Sequence, residues 1–598
     1  MEVFGADING IEGQLIRFEA TKDEKRQGVT LLGLAQRVVK EGYVRASKAI
    51  ETLEGPWSNI LDKQGYTISL HPAETPKKSA GLDLPIAVML LLASILQNLD
   101  ALQTQIERLE ERLKKSDGEE TRGERRKRIL EERQKLIDQR ELTLKYRKRL
   151  AGHKKKYLLI GQLSITDGRI VPPEFGMFSM VAAAKPGFTV IVPEESETHA
   201  AIAATRNSSV RVLKAANLQE VWNVLLGHGS RRASNKALRK RPMLGTRRHI
   251  PDFRDIEGVS RAKRAMTIAL AGGHNILLVG PPGHGKTMLS MAATNLLPPL
   301  TRDEMFELNK IYSARGDLRN NEVVNQRPFQ EVQATATEAA LFGGGRHLPR
   351  PGLISLAHNG VLFFDEINLH KPRTIEELRN TLNYRVHTVQ RAQGNIEYPC
   401  RFILVAAMNP CKCGWYAHYI CPGCRRTFFS RTDKCERHPG KALEPKCKCS
   451  QQEVNAYRSK LSAPLLQRID LKVLVSSHDK SQIDEKAYAS SSIKRQIRLA
   501  REVQEERYEE ARFGNRNADV PDEAQARKYM PPVPDRVAHY LDELYRQLDL
   551  SKRTEVKVVL VARTIADYEE SRVVRVKDVM KAVDLMGLTH DYFKRMGY

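Results

Sequence analysis

GPPGHGKT, residues 280–287, stands between an apolar run, ILLV, and a segment with helical patterning, MLSMAATNLL. Gly, four residues, then Gly-Lys-Thr is the spacing of a phosphate loop, which works only where a strand feeds the N-terminus of a helix. That requirement commits this part of the chain to an α/β fold. Gly280, Gly283 and Gly285 let the backbone curl so that successive N–H groups point inward at phosphate oxygens, with Pro281, Pro282 and His284 completing the loop. Lys286 is placed to reach the β- and γ-phosphates of ATP, and Thr287 to ligate Mg²⁺.

A second apolar run, in GVLFFDEIN, ends in Asp365 and Glu366. Beside a phosphate loop, Asp365 is expected to hold Mg²⁺ directly or through water, and Glu366 to orient and activate the attacking water. A third run, FILVAAMN, brings Asn409 to the same sheet edge, where its amide can hold that water or sense the γ-phosphate. Hydrolysis also calls for positive charge on the transferring phosphoryl group. Arg468, in APLLQRIDL, and Arg553, in LSKRTEVKVVLVARTIAD, are the candidates. An arginine supplied by a neighbouring subunit is worth ~10³–10⁵ in rate and would make an oligomer obligatory. By spacing alone both arginines also read as surface ion pairs.

At 598 residues the chain is too long for one hydrophobic core. Its 97 Lys and Arg against 72 Asp and Glu give a net charge of +25, which favours polyanionic partners through counterion release. MEVFGADING is acidic and broken by glycine, unlike a signal peptide. The longest apolar run, PIAVMLLLASIL at 85–96, is too short to span a bilayer and suits a buried helix. The chain therefore reads as cytoplasmic, with no membrane partner. All 8 cysteines lie between Cys400 and Cys449, and in a reducing compartment such clustering argues for metal rather than disulfides.

Residues 1–228 alternate apolar stretches with helical patterns and read as a compact α/β domain. A charged insertion at about 100–156 interrupts it. Leu102, Ile106, Leu109 and Leu113 form the seam of a helical hairpin, with Ser116-Asp117-Gly118 as its turn. The charges on this arm are either a solvated face or a partner-binding surface. RRASNKALRKRPMLGTRRH, within 229–249, has the composition of a basic linker. Strand-like runs separated by helices then predict a parallel sheet over about 250–478, and the pattern from 479 to 598 is helical.

GPPGHGKT, RPGLISLAHNGVLFFDEI, AAMNPCKCG, SAPLLQRIDL and VARTIADYEES occur here in the order found in the Mg-chelatase-like AAA+ family, and the chain resembles its ComM/YifB type. LDLPIAV, IGQLSITDGRIVP and GFTVIVPEE resemble that family's amino-terminal domain. The resemblance implies an α/β multidomain protein: a Lon-protease-like domain at 1–228, a phosphate-loop AAA+ αβα sandwich at 250–478 with a Cys-rich insertion at 411–449, and a C-terminal helical lid at 479–598. It implies a homo-hexameric, ATP-driven branch-migration helicase that acts on single-stranded or branched DNA alongside recombination or competence proteins. Asn409 would be sensor 1, Arg468 the arginine finger and Arg553 sensor 2. NYRVHTVQRAQGNIEYP, 383–399, corresponds to a hairpin that faces the pore in related ring motors, which makes Arg391 a DNA contact.

The family's sulfur pattern falls on Cys411, Cys413, Cys447 and Cys449, a set that suits tetrahedral Zn²⁺. The insertion between them adds Cys421, Cys424, Cys435 and His438, a second complete ligand set. Two zinc ions are therefore expected, the second nested inside the first, with the pairing open and His418 as a spare ligand. Cys400 reads as a core residue. Lys412, Arg425, Arg426 and Arg431, interleaved with Trp415, Tyr416, Phe428 and Phe429, could also grip nucleic acid by charge and stacking.

Two departures bear on function. Where relatives carry a Ser-Pro-His-His stretch, this chain has QEVQATATEAALFGGG after Arg327-Pro328-Phe329. The Lon-like resemblance also raises proteolysis, but anchoring on LDLP puts Gly81 where the nucleophilic serine belongs, and EFGMFSM lacks the partner lysine. Two rivals to the DNA motor stand beside it: a chelatase-type motor that remodels a protein partner, and a DNA-binding scaffold switched by ATP.

Overall fold

The runs ILLV, VLFF and ILVAAM become the strands Ile276–Val279, Val361–Phe364 and Ile403–Met408. With Phe329–Val332 and Leu471–Leu474 they form a five-stranded sheet in the order 329–332, 361–364, 403–408, 276–279, 471–474. All four of its pairings are parallel. Such a sheet is covered on both faces, which is why its strands read as unbroken apolar runs. Alternate residues serve alternate faces: Ile276, Leu278, Phe363 and Val405 enter one core, and Leu277, Val279, Phe364 and Leu404 the other.

These observations come from a computed structural model that describes every residue except 24–27, 54–64, 79, 98, 115–122, 152–154, 208, 234–249, 319–321, 346–348, 392–393, 417, 426, 429–433, 476–488 and 595–598. The chain divides into two compact units. One comprises residues 1–244, 305–324 and 345–350; the other comprises 245–304, 325–344 and 351–598. The range 250–478 expected for the ATPase core is thus not all in one unit, because 305–324 and 345–350 belong with the amino-terminal residues.

The first unit is built on an eight-stranded mixed sheet in the order 231–232, 211–215, 188–193, 156–159, 2–9, 12–23, 65–71, 28–32. PIAVMLLLASIL lies in the helix Asp83–Gln97, which is apolar all round and buried, as such a helix must be. It packs in one core with Leu159, Ile191 and Trp222. The other face of the sheet, with Leu158, Val190 and Val192, is covered by Phe178 and by Phe306 and Val323 from the returning segment.

The charged insertion forms the helices Leu99–Lys114 and Gly123–Ala151. Leu102, Ile106 and Leu109 are buried along its seam and Leu113 is half-buried. The Arg133 guanidinium pairs with Glu110 at 2.5 Å across the hairpin, and the Tyr146 ring stands edge-on to Trp222 at 5.9 Å. The proposed turn, Ser116–Gly118, lies outside the described residues. The segment read as a linker begins differently from expectation: Arg231–Arg232 extends the sheet antiparallel to Arg211–Ala215, and Arg231 is held by Glu194 and Glu220. Residues 234–249 lie outside the described residues.

From residue 490 onward the described chain is helical, with Ser490–Arg507, Asp535–Leu548, Lys552–Tyr568 and Val576–Leu585 as the longer elements. Ile493, Ile497, Val558, Val561 and Val579 join the core on one face of the parallel sheet. Among the described residues no helix is long and apolar enough to cross a membrane.

Candidate active site

Three neighbouring parallel strands end at the same edge, and each carries part of the site. Val279 pairs with Met408, so the phosphate loop and Asn409 leave adjacent strands side by side. Phe364 pairs with Ala406, which sets Asp365 and Glu366 next to them. Ligand sites in open parallel sheets form beyond such carboxyl ends.

Within the loop, Gly283 and Gly285 have φ of 77° and 75°, the left-handed region that glycine enters without strain. A Cβ on Gly283 would meet nothing within 4 Å, so the residue is required by its dihedral and not by crowding. The helix Lys286–Leu296 starts at the end of the loop and aims its N-terminus into it. The Lys286 ammonium is buried and donates to the carbonyls of Gly280 at 2.8 Å and Pro281 at 2.9 Å and to Asn409 Oδ1 at 3.2 Å. Burial pulls its pKa down to about 8, against the opposing pull of the Asp365 and Glu366 carboxylates. Thr287, half-buried, is the next residue of the helix.

Asn409 Nδ2 donates to Glu366 Oε1 at 3.4 Å, and the Glu366 backbone N–H donates to Asp365 Oδ1 at 3.0 Å. Glu366 has φ 47° and ψ 49°, a left-handed conformation that costs a residue with a Cβ energy and persists where the surroundings hold it. Lys286, Asn409, Glu366 and Asp365 therefore form one linked group.

The two candidate arginines lie elsewhere. Arg468 and Arg553 line a single cavity of about 900 Å³ together with Arg401, Arg512 and Lys557, partly offset by Asp470, Asp519 and Glu523. Neither the phosphate loop nor Asp365 and Glu366 lines it. Asn275 fixes the position of Arg468: its Nδ2 donates to the Arg468 carbonyl and its Oδ1 accepts from the Leu404 N–H, both at 3.0 Å. Nε and Nη1 of Arg468 are buried without a hydrogen-bond partner among the described residues. Arg553 sits in the first turn of the helix Lys552–Tyr568, where the helix dipole disfavours a cation unless an anion faces it. Sequence reasoning missed Asn275; an asparagine immediately before ILLV is the only local signal.

The cysteines fall into two groups, each of which could hold a metal ion. Cys411, Cys413, Cys447 and Cys449 form one; Cys421, Cys424, Cys435 and His438 form the other, and within each group the ligand atoms all lie within 4.8 Å of one another. In the first, the sulfurs of Cys411, Cys413 and Cys447 are 3.3, 3.7 and 3.5 Å apart. In the second, Cys424 and Cys435 are 3.5 Å apart and Cys421 lies 3.6 Å from His438 Nδ1. A tetrahedral zinc with bonds near 2.3 Å spaces its sulfurs ~3.8 Å apart, so both donor sets fit. His418 belongs to neither group; it is buried, with Nδ1 2.9 Å from the Tyr416 carbonyl. Cys400 is a core thiol, 3.4 Å from Ser355 Oγ, and burial pushes its pKa up to about 12.

The proposed nucleic-acid residues are placed only in part. Arg391 ends the strand Val386–Arg391 and pairs with Gly394 in an antiparallel hairpin. Arg425 is exposed, with φ 57°, and its N–H donates to the Cys421 carbonyl at 2.8 Å. Arg426, Phe429 and Arg431 lie outside the described residues.

Comparison with known proteins completes the picture. The family described as magnesium chelatase, subunit ChlI, matches residues 252–428 and 424–483; its C-terminal family matches 487–586, and subunit ChlI of Mg-chelatase matches 18–111. The chain is 30% identical over 575 residues to the protein YifB of Salmonella typhimurium, covering 94% of this chain and 92% of that protein. It is 28% identical over 570 residues to the competence protein ComM of Haemophilus influenzae, covering 95% and 93%. A stretch of 191 residues is 28% identical to the magnesium-chelatase 67 kDa subunit of Heliobacterium mobile, covering 27% and 28%.

Proposed function

The chain belongs to the Mg-chelatase-like ComM/YifB family, and from that premise we infer that it is an ATP-driven DNA motor, a hexameric branch-migration helicase whose nucleotide sites are each completed by a neighbouring protomer. The observation that carries this reading is the separation within one chain: Lys286, Asp365, Glu366 and Asn409 gather at one sheet edge, while Arg468 and Arg553 line a different cavity. Two guanidinium nitrogens of Arg468 without hydrogen-bond partners among the described residues favour an anion brought by a second copy.

In this reading ATP lies along residues 280–287 with its phosphates against the loop N–H groups and the helix N-terminus. The Lys286 ammonium exchanges the Gly280 and Pro281 carbonyls for β- and γ-phosphate oxygens. Thr287 and Asp365 would hold Mg²⁺, which screens the phosphate charge when bound. Glu366 accepts the proton of the attacking water, and Asn409 holds Glu366 at the right distance from the γ-phosphate. Arg468 and Arg553 of one protomer stabilise the charge that develops on the neighbour's transferring phosphoryl group.

DNA as the track is supported by the net charge of +25 and by the likeness to a competence protein. The Lon-like reading of residues 1–228 gives a domain without a peptidase pair. Cys411, Cys413, Cys447 and Cys449 would hold one zinc and Cys421, Cys424, Cys435 and His438 another, supplying cross-links to a segment whose own apolar cluster is small. Arg391, Arg425 and Arg426 are the proposed DNA contacts.

Hydrolysis measured with and without linear and four-way DNA, followed by strand-displacement assays, tests this. DNA-stimulated turnover with ATP-dependent movement of branched substrates is expected. Stimulation without strand movement would favour the scaffold reading, and indifference to DNA the chelatase-type motor.

A further inference from the structure

Cys411 follows Asn409 by two residues, so the first cysteine set grows directly out of the strand that ends at the candidate nucleotide site. The residue after Cys413 is Gly414, with φ 82°, and a Cβ there would lie 2.7 Å from Cδ of Pro282 in the phosphate loop. Next comes Trp415, whose ring stands edge-on to the His284 ring with centroids 6.1 Å apart. His418 closes the cluster, 5.8 Å from Trp415 and 6.4 Å from His284. Lys446, beside Cys447, places its ammonium 3.0 Å from the centre of the Trp415 ring, and its N–H donates to the His418 carbonyl at 2.8 Å. On the other flank the Tyr592 hydroxyl donates to the Pro410 carbonyl at 3.1 Å, and the Arg458 guanidinium lies 4.0 and 4.3 Å from the centres of the Tyr592 and Tyr416 rings.

The phosphate loop itself explains why this packing matters. Gly283 and Gly285 carry no side chain to brace the loop, and both hold positive φ. Pro282 and His284 alternate with them, and both meet the segment that carries the cysteines. A tetrahedral ion that draws four sulfurs to one point would fix the segment bearing Gly414 and Trp415, adding to the ring contacts and hydrogen bonds that already hold it.

We propose that the centre formed by Cys411, Cys413, Cys447 and Cys449 positions the phosphate loop through Gly414 and Trp415, so that metal binding and nucleotide binding are coupled. The proposal rests on the reading of residues 280–287 as the nucleotide site and is independent of DNA. Gly414 and Trp415 are positioning residues; neither touches the reacting atoms. Coupling of this kind is reciprocal: the factor by which zinc tightens ADP equals the factor by which ADP tightens zinc.

The test uses the full chain without DNA. Affinity for a fluorescent ADP is measured on zinc-loaded and zinc-stripped protein, and zinc affinity is measured by competition with a chelating dye, with and without saturating ADP. Removal of zinc is expected to weaken ADP binding by about 5–150-fold, with ADP tightening zinc by the same factor. Gly414→Ala, with zinc loaded, reproduces the loss; Trp415→Ala weakens ADP binding and Trp415→Phe restores most of it. Stripped protein that keeps its circular dichroism and binds ADP unchanged would overturn the coupling. If the stripped chain unfolds, ADP affinities of zinc-loaded Gly414→Ala and Trp415→Ala equal to the parent's would overturn it instead. Because DNA is absent, that failure leaves the motor reading standing, whereas a chain that binds no nucleotide under any condition would remove the nucleotide site on which both rest.

Discussion

The Asn409 side chain accepts a hydrogen bond from the Lys286 ammonium at 3.2 Å. One amide thus bridges the lysine of the phosphate loop and, through Nδ2, the Glu366 carboxylate. Glu366→Gln keeps the shape of this bridge and removes only the base. It is expected to bind ATP within about threefold of the parent and to lose turnover by ~10² or more, the scale of general-base catalysis. Phosphate release and nucleotide titration on the same preparation decide it; normal turnover would take Glu366 out of the chemistry.

Lys286 also sets a pH dependence. Its folded pKa, lowered to about 8, lies below the ordinary lysine value of 10.5, so between those values the folded chain binds fewer protons than the unfolded one. The group's contribution to stability is therefore fully present above 10.5 and is lost as pH falls through about 8. Nucleotide binding runs the opposite way, because phosphate wants the ammonium charged. Affinity for ADP is expected to fall above pH 8 by up to about tenfold per pH unit, the slope of one linked proton. A flat titration between pH 7.5 and pH 9.5 (about the window the linkage predicts) would contradict this.

Arg468 and Arg553 share a cavity that the phosphate loop does not line, which gives a mixing experiment. Arg468→Ala should bind nucleotide normally and lose turnover by about 10³ or more. Combined with Glu366→Gln, itself inactive, it should recover activity, since the mixed interface pairs an intact Glu366 with an intact Arg468. Two dead variants that stay dead together, while co-assembling, would place the arginine in its own protomer's site.

Metal content follows from the two donor sets. Elemental analysis is expected to find about two zinc ions per chain, falling to about one in Cys421→Ser, with His438 and Cys424 released to thiol and imidazole reagents. A folded, active protein with no bound metal would defeat the structural-zinc reading.

The nucleotide elements were legible because each is a short apolar run that ends in a chemically distinctive residue: Gly280 after Val279, Asp365 after Phe364, Asn409 after Met408. Fully buried parallel strands leave this trace by necessity. The hairpin seam at Leu102, Ile106 and Leu109 was legible for a different reason, the fixed period of a helical seam. The approach of Gly414 to Pro282 was not, since no period links residues so far apart in the chain. Nor was the fate of the helix Arg302–Arg315: its buried Phe306 announces a core, but no local pattern says which core it enters.

That helix has a consequence for how the protein is made. Phe306 rests on Phe178 at 5.2 Å, the Ser313 hydroxyl accepts from the Phe178 N–H at 3.1 Å, and His199 meets the Glu322 carbonyl at 2.5 Å. A nascent polypeptide that has emerged only to residue 244 would lack the cover that Phe306 and Val323 give to this core, and translation must run past residues 280–287 before that face of the first sheet is sealed. Maturation of the amino-terminal body is therefore interleaved with that of the ATPase, so neither half is a natural cut point for truncation.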